Sequence, residues 1–316
     1  MNNAGVLPSA IGVMVLVASG AGGLAQTNPQ VSGVPVHVVV TEEVHHGSNP
    51  PLINHEDVEV LEGHAHDTVV TWVPAQGDNA GMEFFILLDD DSTAGTLGTQ
   101  LGDIRQFILM QPSSTKVGVA YMRNGIAWIA QQPTSDHALA AKALRLPLGI
   151  ASANGSPYFS LSDLVKRWPK SDSLRREVLM ISDGYDRYYG ENDFLDPYLD
   201  AAIYDVQRAG VVVSAIYNPR AGTRRRGSYS TYFGQLYLQR VADLTGGQAY
   251  YIGFRAPAVA FAPYLSDLSD RLNRQYLLSF LAEPEKKDRL EPVKVISEVP
   301  NTELVAAHRV YVQTER

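Results

Sequence analysis

The chain contains no cysteine. That excludes disulfides, thiolate metal ligands and cysteine nucleophiles together. Basic residues are missing from its front: no Lys or Arg precedes Arg105, whereas acids recur from Glu42 to Asp103. All 26 basic residues therefore fall later in the chain, and the net charge is −8. This balance argues against general binding to nucleic acid or to an anionic membrane. Catalytic arrangements are also missing. Neither a Ser-His-Asp set nor a Gly-x-Ser-x-Gly turn appears in a strand–turn–helix context, and a metal-bound water would have no general base beside it. His137 and His308 stand alone in sequence and read as structural. Binding is expected, not enzymatic chemistry.

What is present describes a folded, exported protein. With 316 residues, 45% hydrophobic and 19% charged, the chain can bury one large core and a smaller one. Val6 to Ala25 is uncharged and small-to-apolar, centred on Ile11–Ala18 and ending Gly23-Leu24-Ala25 before the polar Gln26-Thr27-Asn28-Pro29-Gln30. Residues 1–25 read as a signal peptide, although its usual basic start is absent. An uncleaved anchor is the other reading, but Pro8, Ser9 and several glycines interrupt the run and make a poor spanning helix. No stable membrane span is expected after cleavage, and the destination is periplasmic or extracellular.

From 31 to 75 the pattern is that of short strands: Val36–Val40, Asp57–Leu61 and Thr68–Val73, separated by polar turns. From 82 to 275 it changes. Phe84–Leu88, Val178–Ile181 and Val211–Ile216 are continuous apolar runs, as in strands covered on both faces. Helical spacing follows them: Leu97, Leu101, Ile104 and Ile108; then Asp136–Leu146; then Leu161, Leu164 and Val165; then Leu199, Ile203 and Val206; then Leu236–Leu244; then Leu265, Leu268 and Leu272. Val117–Met122 and Ile126–Ile129 form a hairpin across Arg123-Asn124-Gly125. The fold class is α/β, a doubly wound and mainly parallel sheet with helices on both faces. The strands Tyr276–Leu281, Val293–Val299 and Val310–Val312, within 276–316, leave that pattern and are expected to pack with the 31–75 strands as a small β module.

Two apolar strands end in carboxylates, Asp89-Asp90-Asp91-Ser92-Thr93 after the first and Ser182-Asp183-Gly184 after the later one. In open parallel sheets ligands gather beyond these strand ends, and a hard cation such as Mg²⁺ takes oxygen donors. The alternative is an acidic loop whose hydroxyls cap helices. Together with Ala209–Val213 and Ala242–Gly247, these segments resemble von Willebrand factor A domains. Val36–Val40, Asn54–Gly63 and Gln275–Phe280 extend the resemblance to the secreted "VWFA-related" proteins of Acidobacteria. The resemblance implies a metal-ion-dependent adhesion site, degenerate here. Asp90 and Ser92 match its first two ligands, Ala94 stands where a second serine belongs, Asp183 matches the later aspartate, and Ser156 weakly matches the loop threonine. A second register begins at Asp89, with Asp91 and Thr93 in the serine positions. Mg²⁺, or Mn²⁺ or Ca²⁺, is the implied cofactor, and a protein or cell-envelope ligand the implied partner. A metal-independent structural or assembly role in the envelope is the alternative.

Other features carry less. Six of eight histidines precede Asp67, and His64-x-His66 would share a strand face; scattered surface histidines explain them as well. Arg224, Arg225, Arg226 and Tyr229 follow a sheet strand and offer interface chemistry on the same rim as the aspartates, as do Tyr185, Tyr188 and Tyr189.

Overall fold

The computed structural model describes residues 33–44, 51–63, 65–90, 97–98, 100–149, 155–170, 172–190, 194–218, 228–251, 260–284 and 286–314. Residues 1–25, expected to be a signal peptide, therefore lie outside the described residues, as do His64 and the 91–96 loop. Two sheets organise the rest, both within the compact unit Ser32–Arg316.

The first sheet has six strands: β4 (Met82–Asp89), β5 (Thr115–Arg123), β6 (Ile126–Thr134), β7 (Arg176–Ser182), β8 (Val211–Tyr217) and β9 (Ala249–Tyr251), in the order β6-β5-β4-β7-β8-β9. All neighbours run parallel except the β5/β6 hairpin. Every residue of β4 is buried, which is why its sequence does not alternate. Its alternate side chains feed two cores instead. Ile86 and Leu88 pack with Leu101 and Ile104 of α1 (Gln100–Leu109) and with Leu265 and Leu268 of α6 (Ala262–Asn273). Phe85 and Leu87 pack with α3 (Pro157–Lys166), α4 (Pro197–Arg208) and α5 (Ser228–Thr245) through Leu161, Leu199 and Leu238. Each such side chain contributes about 1.5–3 kcal/mol when fully buried. The chain leaves β4 toward β5 on one side and returns to β7 on the other, so a crevice opens where β4 and β7 end.

The second sheet is antiparallel and built from both chain ends: β1 (Val34–Val44), β2 (Val58–Glu62), β3 (Ala65–Pro74), β10 (Gln275–Ala282), β11 (Arg289–Ser297), β12 (Thr302–Val305) and β13 (Arg309–Val312). Its order is β12-β1-β10-β3-β2-β11-β13. The pairing expected between the terminal segments is present, with β10 between β1 and β3. The short β12 has no sequence expectation behind it; it is held by pairing to β1.

One helix is shorter than its periodicity suggests. Helical spacing covers Asp136–Leu146, but α2 spans His137–Lys142 only. Beyond it the chain unwinds because Tyr121 takes the backbone: its hydroxyl accepts from the Arg145 N–H at 2.7 Å, and the Ala143 and Arg145 carbonyls lie 3.2 and 3.3 Å from it. Non-helical backbone there is what frees Arg145 for the strand-end site.

A buried polar seam joins the two sheets at the other end of β7. Arg175 Nε donates to Gln275 Oε1 at 2.6 Å, and Gln275 Nε2 donates to Glu177 Oε1 at 2.9 Å. Burial pushes the Glu177 carboxyl up to about 7, against the opposing pull of Arg175. The folded state thus holds this proton more tightly than the unfolded chain. The stabilisation is complete below the ordinary glutamate range and is lost as pH rises through about 7. Asp67, pushed up to about 6 by partial burial and then by Glu62 and Glu283, acts in the same direction. Urea unfolding should therefore show stability falling between pH 5 and 7, by roughly 2 kcal/mol from Glu177. Glu177→Gln should flatten most of that slope; an unchanged slope would exclude Glu177 as its source.

Candidate binding site at the strand ends

β4 and β7 run side by side with Leu88 opposite Ile181. Their terminal acids therefore arrive together, but alternation sends consecutive ones to opposite faces of the sheet. Asp90 turns to the α1/α2 face. Its carboxylate, 2% exposed, receives both guanidinium nitrogens of Arg145, Nη1 to Oδ1 at 2.6 Å and Nη2 to Oδ2 at 2.9 Å. The Leu148 N–H adds a third donor at 2.9 Å. The guanidinium is itself stacked 3.9 Å from the Tyr121 ring centroid and 5.4 Å from that of Trp128. Hydrogen bonding to Asp90 raises the Arg145 pKa further above its usual value, against a smaller effect of burial.

Asp89 faces the α3 side, where Ser182 Oγ donates to it at 3.0 Å. That hydroxyl also accepts the Gly184 N–H at 3.1 Å, which shapes the Ser-Asp-Gly turn. Asp183 accepts from the Tyr185 N–H at 3.1 Å and from Arg187 Nη2 at 3.2 Å. Asp186 caps the next turn, accepting the N–H groups of Tyr188 and Tyr189 at 2.8 and 2.9 Å. Its other oxygen takes the Ser156 hydroxyl at 2.6 Å. Ser156 is at the same time the N-cap of α3, accepting from Tyr158 and Phe159. Arg187, Asp89 and Ser156 line one cavity of about 10 Å³, room for a single water at most.

Backbone-to-backbone contact closes the floor. Gly184 has φ +66°, and a Cβ placed there would stand 2.2 Å from the Gly234 carbonyl oxygen. A Cβ on Gly234 would in turn meet the Asp183 carbonyl at 2.1 Å. The turn can pass α5 at this distance only because neither residue carries a side chain.

Asp89, Ser156 and Arg187 thus line one cavity, and Asp183 is joined to them through Arg187. Asp90 stands apart: it belongs to the Arg145 pair on the other face, so the register starting at Asp89 supplies the carboxylate that lines this cavity. Ser92, Asp91 and Thr93 lie outside the described residues, as do Arg224, Arg225, Arg226 and the side chain of Tyr229. Sequence reasoning missed Arg145, Asp186 and Arg187. Arg187 had a signal, standing four residues after Asp183 in an acidic turn; Arg145 had none, because it looked like part of a helix.

Among the described residues, no three His, Asp or Glu side chains are placed to hold a metal ion. A hard divalent cation needs open carboxylate lone pairs, whereas Asp90 and Asp183 already accept from guanidinium and backbone donors. As they stand, the described donors do not fit a resident divalent ion.

Beside this site the rim is aromatic. Phe159, Tyr188 and Tyr198 contact one another edge-to-face at centroid distances of 4.8–5.2 Å. Tyr188 is 54% exposed, and Phe194 and Leu195, before α4, are 62% and 70% exposed.

No family model matches the chain, and no curated protein sequence does. Among solved structures it is similar to BatB, a conserved hypothetical protein from Bacteroides thetaiotaomicron, with a TM-score of 0.44 and 16% identity over 61% of this chain and 97% of that one. An aerotolerance-related membrane protein from Bacteroides fragilis is similar at a TM-score of 0.42 and 15% identity, covering 61% of this chain and 99% of that one. The human COPII-coat protein Sec24c is similar at a TM-score of 0.42 and 9% identity, over 77% of this chain and 44% of its own. Among the described residues, no helix of this chain is long and apolar enough to cross a membrane.

Proposed function

We propose that the chain is an exported von Willebrand factor A-type binding module that recognises a protein or cell-envelope ligand with the rim at the ends of β4, β7 and β8, without a resident metal. The observation that carries this reading is that two of the three candidate metal-binding aspartates among the described residues, Asp90 and Asp183, are each held by an arginine, Arg145 and Arg187, while Asp89 accepts the Ser182 hydroxyl. With the carboxylates satisfied internally, recognition passes to the exposed rim side chains. Tyr188, Phe194 and Leu195 supply the large, stiff, part-apolar surface that anchors protein interfaces. Export rests on the apolar N-terminal segment, and a binding role on the lack of any nucleophile–base arrangement in the sequence.

The test is capture of envelope proteins by the mature chain, in EDTA and in Mg²⁺, beside the Tyr188→Ala/Phe194→Ala variant. Capture should be the same in both buffers. The variant, checked for an unchanged melting curve, should bind about tenfold or more weakly, as loss of anchor residues does. Capture that vanishes in EDTA and returns with Mg²⁺ would instead favour metal-assisted adhesion through Asp183 with Asp90 and Ser92, or through the Asp89 register.

A further inference from the structure

The seven-stranded sheet leaves two of its edges facing each other. β12 pairs with β1 over Thr41–Val44, with Val305 opposite Thr41. Continued in that register, the chain after β12 would run along the rest of β1. It does not, because α5 draws it away. The His308 N–H donates to the Leu244 carbonyl at 3.2 Å, and Gly246 lies so close that a Cβ on it would stand 2.8 Å from the Ala306 carbonyl carbon. β13 therefore pairs with β11 instead. A notch of about 510 Å³ opens between Val34–Val39 of β1 and β13, lined also by the C-terminal end of α4 and the start of β8. It lies at the end of the six-stranded sheet opposite the strand-end acids.

Alternate residues of a strand turn their backbone N–H and C=O to the same side. The Glu42 N–H donates to the Arg274 carbonyl, on the β10 side, so the backbone of His37 and Val39 faces the notch. Pro35 has the same orientation but no N–H. On β13, the His308 carbonyl accepts from the Val293 N–H of β11, so Arg309 and Tyr311 turn their backbone the other way, away from β11. Exposed strand edges of this kind are templates for a further strand.

The side chains specify what that strand would carry. Val36, Val38, Val310 and Val312 point into the core of the antiparallel sheet. Their neighbours point to the other face, where Arg309 joins Arg176 and Arg208 in lining the notch; no Asp or Glu lines it, in a chain of net charge −8. Acids nearby are engaged elsewhere: Asp288 accepts from the Tyr311 and Thr314 hydroxyls, and Asp205 from Ser162 and Lys166. The Arg176 Nε is buried and has no hydrogen-bond partner, a cost that native structures rarely leave unmet. A carboxylate meets a guanidinium through two parallel bonds. A free anion would satisfy the arginines and leave both backbone edges idle; an acidic strand uses both.

We infer that the notch between β1 and β13 binds an extended segment of a partner protein as an added strand, with acidic side chains toward Arg176, Arg208 and Arg309 and apolar ones, alternating with them, toward the valine core. This surface is separate from the rim of the proposed function and goes beyond it.

The probe is a capped, fluorescein-labelled peptide of four Glu-Val repeats, read by anisotropy on the mature chain, with Lys-Val and Ser-Val repeats as controls. The Glu-Val peptide should bind about tenfold or more tightly than either control. Arg176→Gln/Arg309→Gln should weaken it about tenfold or more, as loss of charge-assisted bonds does. His37→Pro removes an edge N–H at an exposed position, as Pro35 already does, and should weaken it by a similar factor. In wild type, amide exchange at His37 and Val39 should slow when the peptide is bound; this readout needs no variant and stands if His37→Pro does not fold. No binding of the Glu-Val peptide, or equal binding of the controls, would overturn the inference. Displacement by millimolar phosphate with exchange at His37 and Val39 unchanged would make the notch a free-anion site and overturn it too. A dimer that protects these two amides without any peptide would assign the notch to a second copy, with the same consequence. Tyr188→Ala/Phe194→Ala should bind the peptide as wild type does, so the rim and the notch are scored separately.

Discussion

Gly184→Ala is expected to destabilise the protein by about 3–5 kcal/mol, from left-handed strain plus overpacking against fixed backbone. The strain is intrinsic, since φ at this position is +66°. The larger part is steric: the new Cβ would lie 2.2 Å from the Gly234 carbonyl oxygen and 2.7 Å from Leu238 Cγ. Leu238 can shift, but the helix backbone of α5 cannot move without unpacking the core beneath it. Gly190→Ala separates the two effects. Its φ is +72°, yet a Cβ there meets nothing within 4 Å, so it should cost only about 1–2 kcal/mol. Gly234→Ala attacks the same contact from the other side. The double variant with Gly184→Ala should therefore cost clearly less than the sum of the two. Urea denaturation of the four proteins checks the set. A Gly184→Ala no worse than Gly190→Ala would mean that turn and helix are not in backbone contact.

The second large effect belongs to the pair on the opposite face. Arg145→Ala should destabilise by about 3–5 kcal/mol, because it leaves a buried carboxylate without its cation. Asp90 keeps only the Leu148 N–H among the donors described above, and at 2% exposure it gains little from water. Asp90→Ala should cost less, roughly 2–3 kcal/mol, since the Arg145 side chain is 29% exposed and can be partly rehydrated. Arg145→Lys should not rescue the loss. An ammonium reaches one carboxylate oxygen, not two, and does not stack flat on Tyr121. These three values distinguish a structural ion pair from a metal ligand. A ligand aspartate would change ion affinity while leaving stability in EDTA nearly untouched, and Arg145 would then be dispensable. A cost below about 1 kcal/mol for Arg145→Ala, in the range of exposed pairs, would refute the structural assignment.

Both effects arise where the sequence was readable only in part. The aspartates at the ends of β4 and β7 stood out because each closes an apolar run, and their neighbourhood followed from parallel pairing. Which of them share a site did not follow. Asp89, Asp90 and Asp91 are consecutive carboxylates, and their order does not say which face each takes once the strand has ended. The register decided it: Asp89 meets Ser182 on one face, and Asp90 meets Arg145 on the other. The arginines were harder still. Arg145 sits 55 residues from Asp90 in sequence, within a stretch whose apolar spacing continues the helix. Tyr121 ends that helix early through contacts that only the folded chain makes.

Sequence alone determined the layered architecture. Apolar runs that do not alternate have to be covered on both faces, and the helical stripes between them supply the cover. It also determined that the chain ends form β structure, and that carboxylates gather at one edge of the sheet. The tertiary structure alone decided how those carboxylates are neutralised. Charge compensation in a closed site is set by distances of a few ångströms between residues far apart in sequence, and spacing along the chain carries no record of those distances until the strands are in register.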